Sequence, residues 1–190
     1  HPRSSAASDV YKRQNICNGS PAGDSVPALI AAGCIALIAG PNGKREIPIE
    51  EFHIGPGKTV LDNGEMLVSL KFPKREINSS DAYLRMTPRT EMDIAVVGCG
   101  VNITFENNVC TAARVSLGAV APTPLLIKEA SKIMVGSDLN SEILDKVSKI
   151  CMDLCDPIDD KRGTIDYRTK VAGVLFKRAT LTTIDRIKGN

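Results

Sequence analysis

Polar and apolar positions in this chain follow two periods, one of strands and one of helices. Glu65–Phe72 (EMLVSLKF) alternates as a strand does. Asp93–Phe105 and Val109–Val120 are β-rich runs separated by Glu106-Asn107-Asn108, the clearest hairpin in the chain. Cys34–Gly40 reads as a short buried strand that turns at Pro41-Asn42-Gly43-Lys44 into a partner over Lys44–Ile49, with Asn-Gly supplying the positive φ angles of a type I′ turn. Helical spacing takes over later. Pro124–Val135 is expected to be capped by Thr123 and stopped by Gly136. Ser141–Cys155 puts Ile143, Leu144, Val147, Ile150, Cys151 and Leu154 on one face. Asp166–Ile187 spaces Val171, Val174, Leu175 and Arg178 in the same way. An earlier helix begins near Pro27, capped by Asp24 or Ser25, and ends at Gly33. Asn15–Asp24 and Phe52–Thr59 read as loops, and polar Lys74–Ser80 as a boundary between domains. Strands followed by helices predict an α+β fold, an antiparallel sheet with helices on one face.

Composition narrows the function. Aromatic residues make up 4% and Trp is missing, which leaves few rings on which single-stranded nucleic acid could stack. The longest apolar run, Val26–Gly40, is broken by Pro27 and Gly33, short of the roughly 20 residues that cross a bilayer. The N-terminus has no secretory pattern, so a cytoplasmic protein is expected, without membrane insertion. The six cysteines include no C-x-x-C pair and there are two His, which argues against a metal site in this chain. Cys151 and Cys155 share a helix face and are expected to be reduced core thiols.

Residues 4–14 (SSAASDVYKRQ) match the in-frame translation of a transposase adapter used in sequencing libraries, so residues 1–14 are read as non-native and excluded from the fold. Without Arg3, Lys12, Arg13 and Asp9, the 24 basic and 22 acidic residues become 21 of each. The remainder is neutral and gives no electrostatic reason to bind nucleic acid.

The stretch most suited to chemistry is NICNGSPAGD, residues 15–24. It is a loop of small residues running into a helix, where backbone N–H groups can approach an anion or a ring edge. Asn15 and Asn18 add amides, and Asp24 can accept from a ligand hydroxyl or ring N–H. A capped surface loop without ligand is the other reading, and spacing alone favours it. No nucleophile–base pair is visible. Ser20 has no nearby His, His53 reads as a surface residue, and Glu50-Glu51 as a solvated face. The doublets Lys74-Arg75 and Lys177-Arg178 are too short for a nucleic-acid footprint.

Three separated motifs carry a family resemblance. Asn15, Ile16, Ser20, Pro21 and Asp24 fit the second half of T-x-G-G-N-I-x-x-x-S-P-x-x-D. Tyr83-Leu84-Arg85-Met86-Thr87-Pro88-Arg89 with Met92-Asp93-Ile94-Ala95 resembles a junction into a C-terminal domain, and Gly163, Tyr167-Arg168 and Ala172-Gly173-Val174-Leu175 resemble its late helix. In this order they resemble the FAD-binding medium subunit of the xanthine dehydrogenase and carbon monoxide dehydrogenase (molybdenum hydroxylase) family. The resemblance implies the C-terminal part of a PCMH-type FAD-binding domain at 15–75 and a small α+β domain at 81–190. It implies FAD as cofactor, with molybdopterin and 2Fe-2S clusters only on a large and a small partner subunit. FAD would collect electrons from the clusters and pass them to an external acceptor. Carried over by position, Asn15, Cys17, Asn18, Gly23 and Asp24 would touch the flavin, Met66 and Leu67 would pack near its ring, and Arg85 would set a cation beside it. No catalytic side chain and no metal ligand are implied.

The T-x-G-G half of the motif and an upstream A-G-G-T-type loop are missing. Weak or no FAD affinity and exposed core surface are therefore expected of this chain, which reads as an N-terminally truncated fragment, inactive alone. A docking module without flavin is the alternative. A vanillyl-alcohol-oxidase-type enzyme is a third, disfavoured by 81–190. Carbon monoxide, nicotinate, xanthine, aldehydes and aromatic thioesters all stay open as substrates, because that site lies on another subunit.

Overall fold

The computed structural model describes residues 14–89 and 93–189. The adapter-like segment apart from Gln14, and Met92 of the junction motif, lie outside the described residues. A helical turn at 14–17 and a loop lead into helix α1 (Ser25–Ala31). Strands β1 (Ile35–Gly40) and β2 (Gly43–Pro48), a 3-10 turn at Ile49–Glu51, the short strands β3 (His53–Gly55) and β4 (Lys58–Thr59), and β5 (Met66–Lys71) follow. Next come β6 (Ser79–Met86), β7 (Val97–Glu106), β8 (Val109–Gly118) and β9 (Leu125–Leu126), then helices α2 (Lys128–Met134), α3 (Ser141–Asp153) and α4 (Ile165–Lys188). The strands form three antiparallel sheets, in the orders β2-β1-β5, β3-β4 and β6-β7-β8-β9.

The two long hairpins turn differently. Asn107 and Asn108 join β7 to β8, and both have positive φ (50° and 63°), the requirement of a type I′ turn. The β1–β2 turn is not of that type. Gly40 pairs with Gly43, so Pro41 and Asn42 form its centre, and only Gly43 has positive φ. Proline's ring holds φ negative and excludes the expected geometry. The stretch read as a loop at 52–59 contains the β3–β4 hairpin, turned at Gly57.

The four-stranded sheet has two unlike faces. Along β7, Val97, Cys99, Val101 and Ile103 point into a core shared with Ala172, Phe176 and Ala179 of α4 and with Ala130 and Met134 of α2. The alternate residues Gly98 and Gly100 face the other way. A Cβ added at Gly100 would meet the Pro27 carbonyl at 2.7 Å, and one at Gly118 would meet Pro27 Cγ at 2.5 Å. Glycine is needed there because α1 lies directly on the backbone. The helices α2, α3 and α4 belong to one side of the sheet, as predicted, and α1 of the N-terminal part covers the other.

Three details of the helices depart from the sequence reading. The helix expected at 124–135 is shortened at its start, because Leu125–Leu126 pair with β8 as β9 and helix begins only at Lys128. Leu154 is exposed, since α3 ends at Asp153. On α4, Val174 is exposed, and the buried stripe is Arg168, Ala172, Leu175, Phe176, Ala179 and Thr183. The buried arginine hides that stripe from a hydrophobic count. Its Nη1 donates to the carbonyls of Val96 (2.6 Å) and Ala119 (3.2 Å), and its Nη2 to Asp160 Oδ1 (2.8 Å). An ion pair and backbone acceptors offset the charge inside the core, although Nε is buried without a partner among the described residues.

The N-terminal part has its own apolar core: Ile16, Val26, Leu29 and Ile30 against Ala36, Ile38, Phe52 and Leu67. Polar groups of β8 bind it to the sheet. Arg114 donates through Nε to the Ile30 carbonyl (3.0 Å) and through Nη2 to Glu50 Oε1 (2.9 Å). Ser116 donates to the Pro27 carbonyl (2.5 Å), and the Ala119 amide to the Pro21 carbonyl (2.8 Å). Glu50, expected on a solvated face, is thus paired at the junction.

Candidate functional site

The loop at 18–24 is held from below and from the side. The Gly57 amide donates to the Gly19 carbonyl at 2.9 Å, and a Cβ on Gly19 would lie 2.7 Å from the Lys58 nitrogen. Gly19 has φ +60°, so a side chain is disfavoured by conformation as well as excluded by space. His53, expected at the surface, is buried, with Nε2 2.7 Å from the Ile16 carbonyl oxygen. A carbonyl only accepts, so the ring carries a proton on Nε2. Burial lowers the His53 pKa below its ordinary value, partly offset by that hydrogen bond.

Asn15 is the internal brace of the loop. Its Oδ1 accepts from the Ser25 hydroxyl (2.9 Å) and from the Ser25 amide (3.3 Å), which fixes the start of α1. Gly23 lies against it, where a Cβ would come within 3.0 Å of that oxygen. Asp24 stands at the N-cap position but makes no side-chain cap bond. It is drawn instead to Arg85, whose Nη1 donates to Asp24 Oδ2 across 61 positions of sequence. Two residues that the family motifs single out separately therefore form one ion pair. The other oxygen, Asp24 Oδ1, is buried without a hydrogen-bond partner among the described residues.

Four more of the expected residues meet at a cavity of about 330 Å³. Cys17, Asn18, Met66 and Leu67 line it together with Leu61 and Glu65. Its polar wall is fixed, because Arg45 grips Glu65 through two hydrogen bonds, Nε to Oε1 at 2.9 Å and Nη2 to Oε2 at 2.7 Å. That bond and the Asp62 amide hold the Glu65 carboxyl down to about 2. Its apolar wall is the edge strand β5, where Leu67 is buried and Met66 is 58% exposed. Val68 and Phe72 continue the exposed apolar edge.

The eight expected residues thus form three neighbourhoods: the brace Asn15–Gly23, the pair Asp24–Arg85, and the cavity of Cys17, Asn18, Met66 and Leu67. A second cavity, of about 360 Å³, lies between the loop and the C-terminal sheet, against Pro21, Ala22, Ile94, Ala119, Ile158 and Arg168. It contains none of them. Sequence reasoning placed His53 at the surface and Glu50 on a solvated face, because the partner of each, the Ile16 carbonyl and Arg114, lies far along the chain. The core thiols offer no reactive group, as burial pushes Cys151 up to about 12 and Cys34 up to about 11. Among the described residues, no group of three or more His, Cys, Asp or Glu could hold a metal ion. Among the same residues, no helix is long and apolar enough to cross a membrane.

Comparison with known proteins gives this geometry a context. Residues 15–75 match the family model described as "FAD binding domain in molybdopterin dehydrogenase", and residues 82–183 match "CO dehydrogenase flavoprotein C-terminal domain". The chain is 34% identical over 166 residues to a carbon monoxide dehydrogenase medium chain of Afipia carboxidovorans, covering 87% of this chain and 57% of that one. It is 29% identical over 165 residues to a putative xanthine dehydrogenase FAD-binding subunit of Escherichia coli strain K12, covering 86% and 56%. The chain spans little more than half the length of these curated relatives. Among solved structures it is similar to a reconstituted CO dehydrogenase from Oligotropha carboxidovorans, with a TM-score of 0.87 and 31% identity, covering 91% of this chain and 60% of that chain.

Proposed function

The chain belongs to the CO dehydrogenase flavoprotein C-terminal domain family and carries a FAD-binding segment before that domain, and on this premise we propose that it is part of the flavin-carrying subunit of a molybdenum hydroxylase. In this reading, residues 15–75 and 81–190 are two domains. The partners are a large molybdopterin-binding subunit and a small subunit with 2Fe-2S clusters. Electrons arrive from those clusters and leave to an external acceptor.

Bound FAD supplies the redox chemistry through its own ring, and the chain's residues hold and tune it. Asn15 and Gly23 keep the loop in one shape. Asn18 and Cys17 offer polar contacts at the cavity, and Met66 with Leu61 and Leu67 offers an apolar wall suited to a flat ring. Arg85 would set a positive charge beside bound flavin and would favour added negative charge there. Asp24 accepts hydrogen bonds and keeps Arg85 in place. The cavity sits at the low end of the roughly 300–1,000 Å³ usual for ligand pockets, enough for a part of a dinucleotide.

The observation that carries this reading is the Asp24–Arg85 pair, which joins two family motifs at one point of the fold. The test is titration of FAD into the chain, followed by quenching of flavin fluorescence. Weak but saturable quenching is expected, with affinity falling about tenfold in Asp24→Ala and Arg85→Ala as one charge-assisted contact is lost. Quenching that does not saturate, or that is equal in all three proteins, overturns the reading.

A further inference from the structure

Next to the Asp24–Arg85 pair stands a half-buried tyrosine, its hydroxyl oxygen buried, that none of the motif roles uses. The Tyr83 hydroxyl has no hydrogen-bond partner among the described residues, and neither has Asp24 Oδ1. One is a donor and the other an ionisable acceptor. Tyr83 lies on β6 two residues before Arg85, so the two side chains leave the same face of the strand. That face also receives α1, which begins just after Asp24. The ring lies over Gly98, where an added Cβ would come 2.9 Å from the phenolic oxygen and 3.3 Å from a ring carbon. The glycine therefore makes room for the ring and confines it. Burial is the main cause that raises the Tyr83 pKa; the charge of Asp24 adds to it and that of Arg85 opposes it. The hydroxyl stays protonated and remains a donor. Buried tyrosine hydroxyls ordinarily find a partner, and a buried carboxylate oxygen needs one more.

We propose that Tyr83 is a positioning residue for Asp24: these two groups, each unpaired among the described residues, pair in solution, the hydroxyl turning to donate to Asp24 Oδ1 while Arg85 holds Oδ2, so that one carboxylate ties the two β6 side chains together and fixes the direction of Arg85. The meaning of this row for a flavin rests on the function proposed above. The hydrogen bond itself does not, and the two are tested separately.

The experiment uses the chain labelled with carbon-13 at tyrosine Cζ, in an equal mixture of light and heavy water. A hydroxyl in a lasting hydrogen bond exchanges slowly and splits its Cζ line in two. A split line is expected for Tyr83, assigned by its loss in Tyr83→Phe, and a single line in Asp24→Ala. Asp24→Asn, which keeps the shape and a weaker acceptor, serves if the alanine variant fails to fold, and there the two lines merge at lower temperature. A single line in the unaltered chain, or a splitting untouched by both Asp24 variants, overturns the proposal. The positioning role is read at Arg85, whose side-chain Nε–H is expected to exchange with water about tenfold faster in Tyr83→Phe, the equivalent of one hydrogen bond. An unchanged rate reduces Tyr83 to a wall and also overturns it. Addition of FAD then addresses the other reading. A split line that FAD does not move supports the hydrogen bond and counts against flavin at this site.

Discussion

The two faces of the β6–β9 sheet solve opposite problems with the same strands. The face toward α4 carries Val97, Cys99, Val101, Ile103, Val115 and Leu117, all buried, and holds its helices mainly by apolar contact, with Ser131 and Arg168 adding a few polar bonds to backbone carbonyls. The face toward α1 carries Gly98, Gly100, Gly118, Ser116, Arg114, Tyr83 and Arg85, and holds its helix by backbone approach and directed polar bonds. Apolar packing is strong but tolerant of direction, whereas hydrogen bonds and close approach are weaker in net energy and strict in geometry. Stability is concentrated on the first face and the placement of the candidate site on the second.

The largest expected effect breaks the first face. Phe176→Ala removes a fully buried ring from the centre of the α4 packing, and a loss of about 3–5 kcal/mol is expected in denaturant unfolding. Both faces should then fail together. Gly118→Val separates them. Its side chain would run into the Pro27 ring, and an overpacking cost of about 1–3 kcal/mol is expected. Hydrogen exchange should quicken in α1 and leave α4 protected. Equal loosening of both helices would show that the faces are not independent.

The smallest effect is a pH dependence inside the N-terminal part. His53 has its folded pKa below the ordinary 6.5, so the unfolded chain takes up the proton first on acidification. The stabilisation is complete above about 6.5 and is lost as pH falls from there through the folded value. A chemical-denaturation series from neutral to mildly acidic pH should show this slope in the chain, and a flatter one in His53→Gln.

The same contrast decides how much could be read from sequence. The longer strands were legible: Met66–Lys71 lies within the run that alternation marked, and Val97–Glu106 and Val109–Gly118 lie within or close to the β-rich runs. So was the Asn107-Asn108 turn, because its chemistry is local. The buried stripe of α4 was not, since Arg168 belongs to it and Val174 does not. The short pairings of β3–β4 and β9 escaped for a related reason, as two or three residues carry no period. At the site, Asn15 and Asp24 stood out in the loop by their chemistry, but Arg85 was reached only through motif resemblance, for nothing local says that Asp24 turns from its cap position toward a residue 61 places away. His53 and Tyr83 have partners at positions 16 and, by our proposal, 24. No window along the chain shows such pairs together.

The seat of α1 also sets an order of events. Ser116 meets Pro27 across 89 positions, and the Arg114–Ile30 bond spans 84. During synthesis, α1 emerges long before the strands on which it rests; its apolar residues can pack on β1 and β5, but the side that meets the sheet has no seat until β8 is complete. Closing so long a loop is slow compared with forming the β7–β8 hairpin. The early segment is thus a late arrival: the sheet and its helices can assemble first, and the loop that bears Asp24 takes its final shape only when it docks on them.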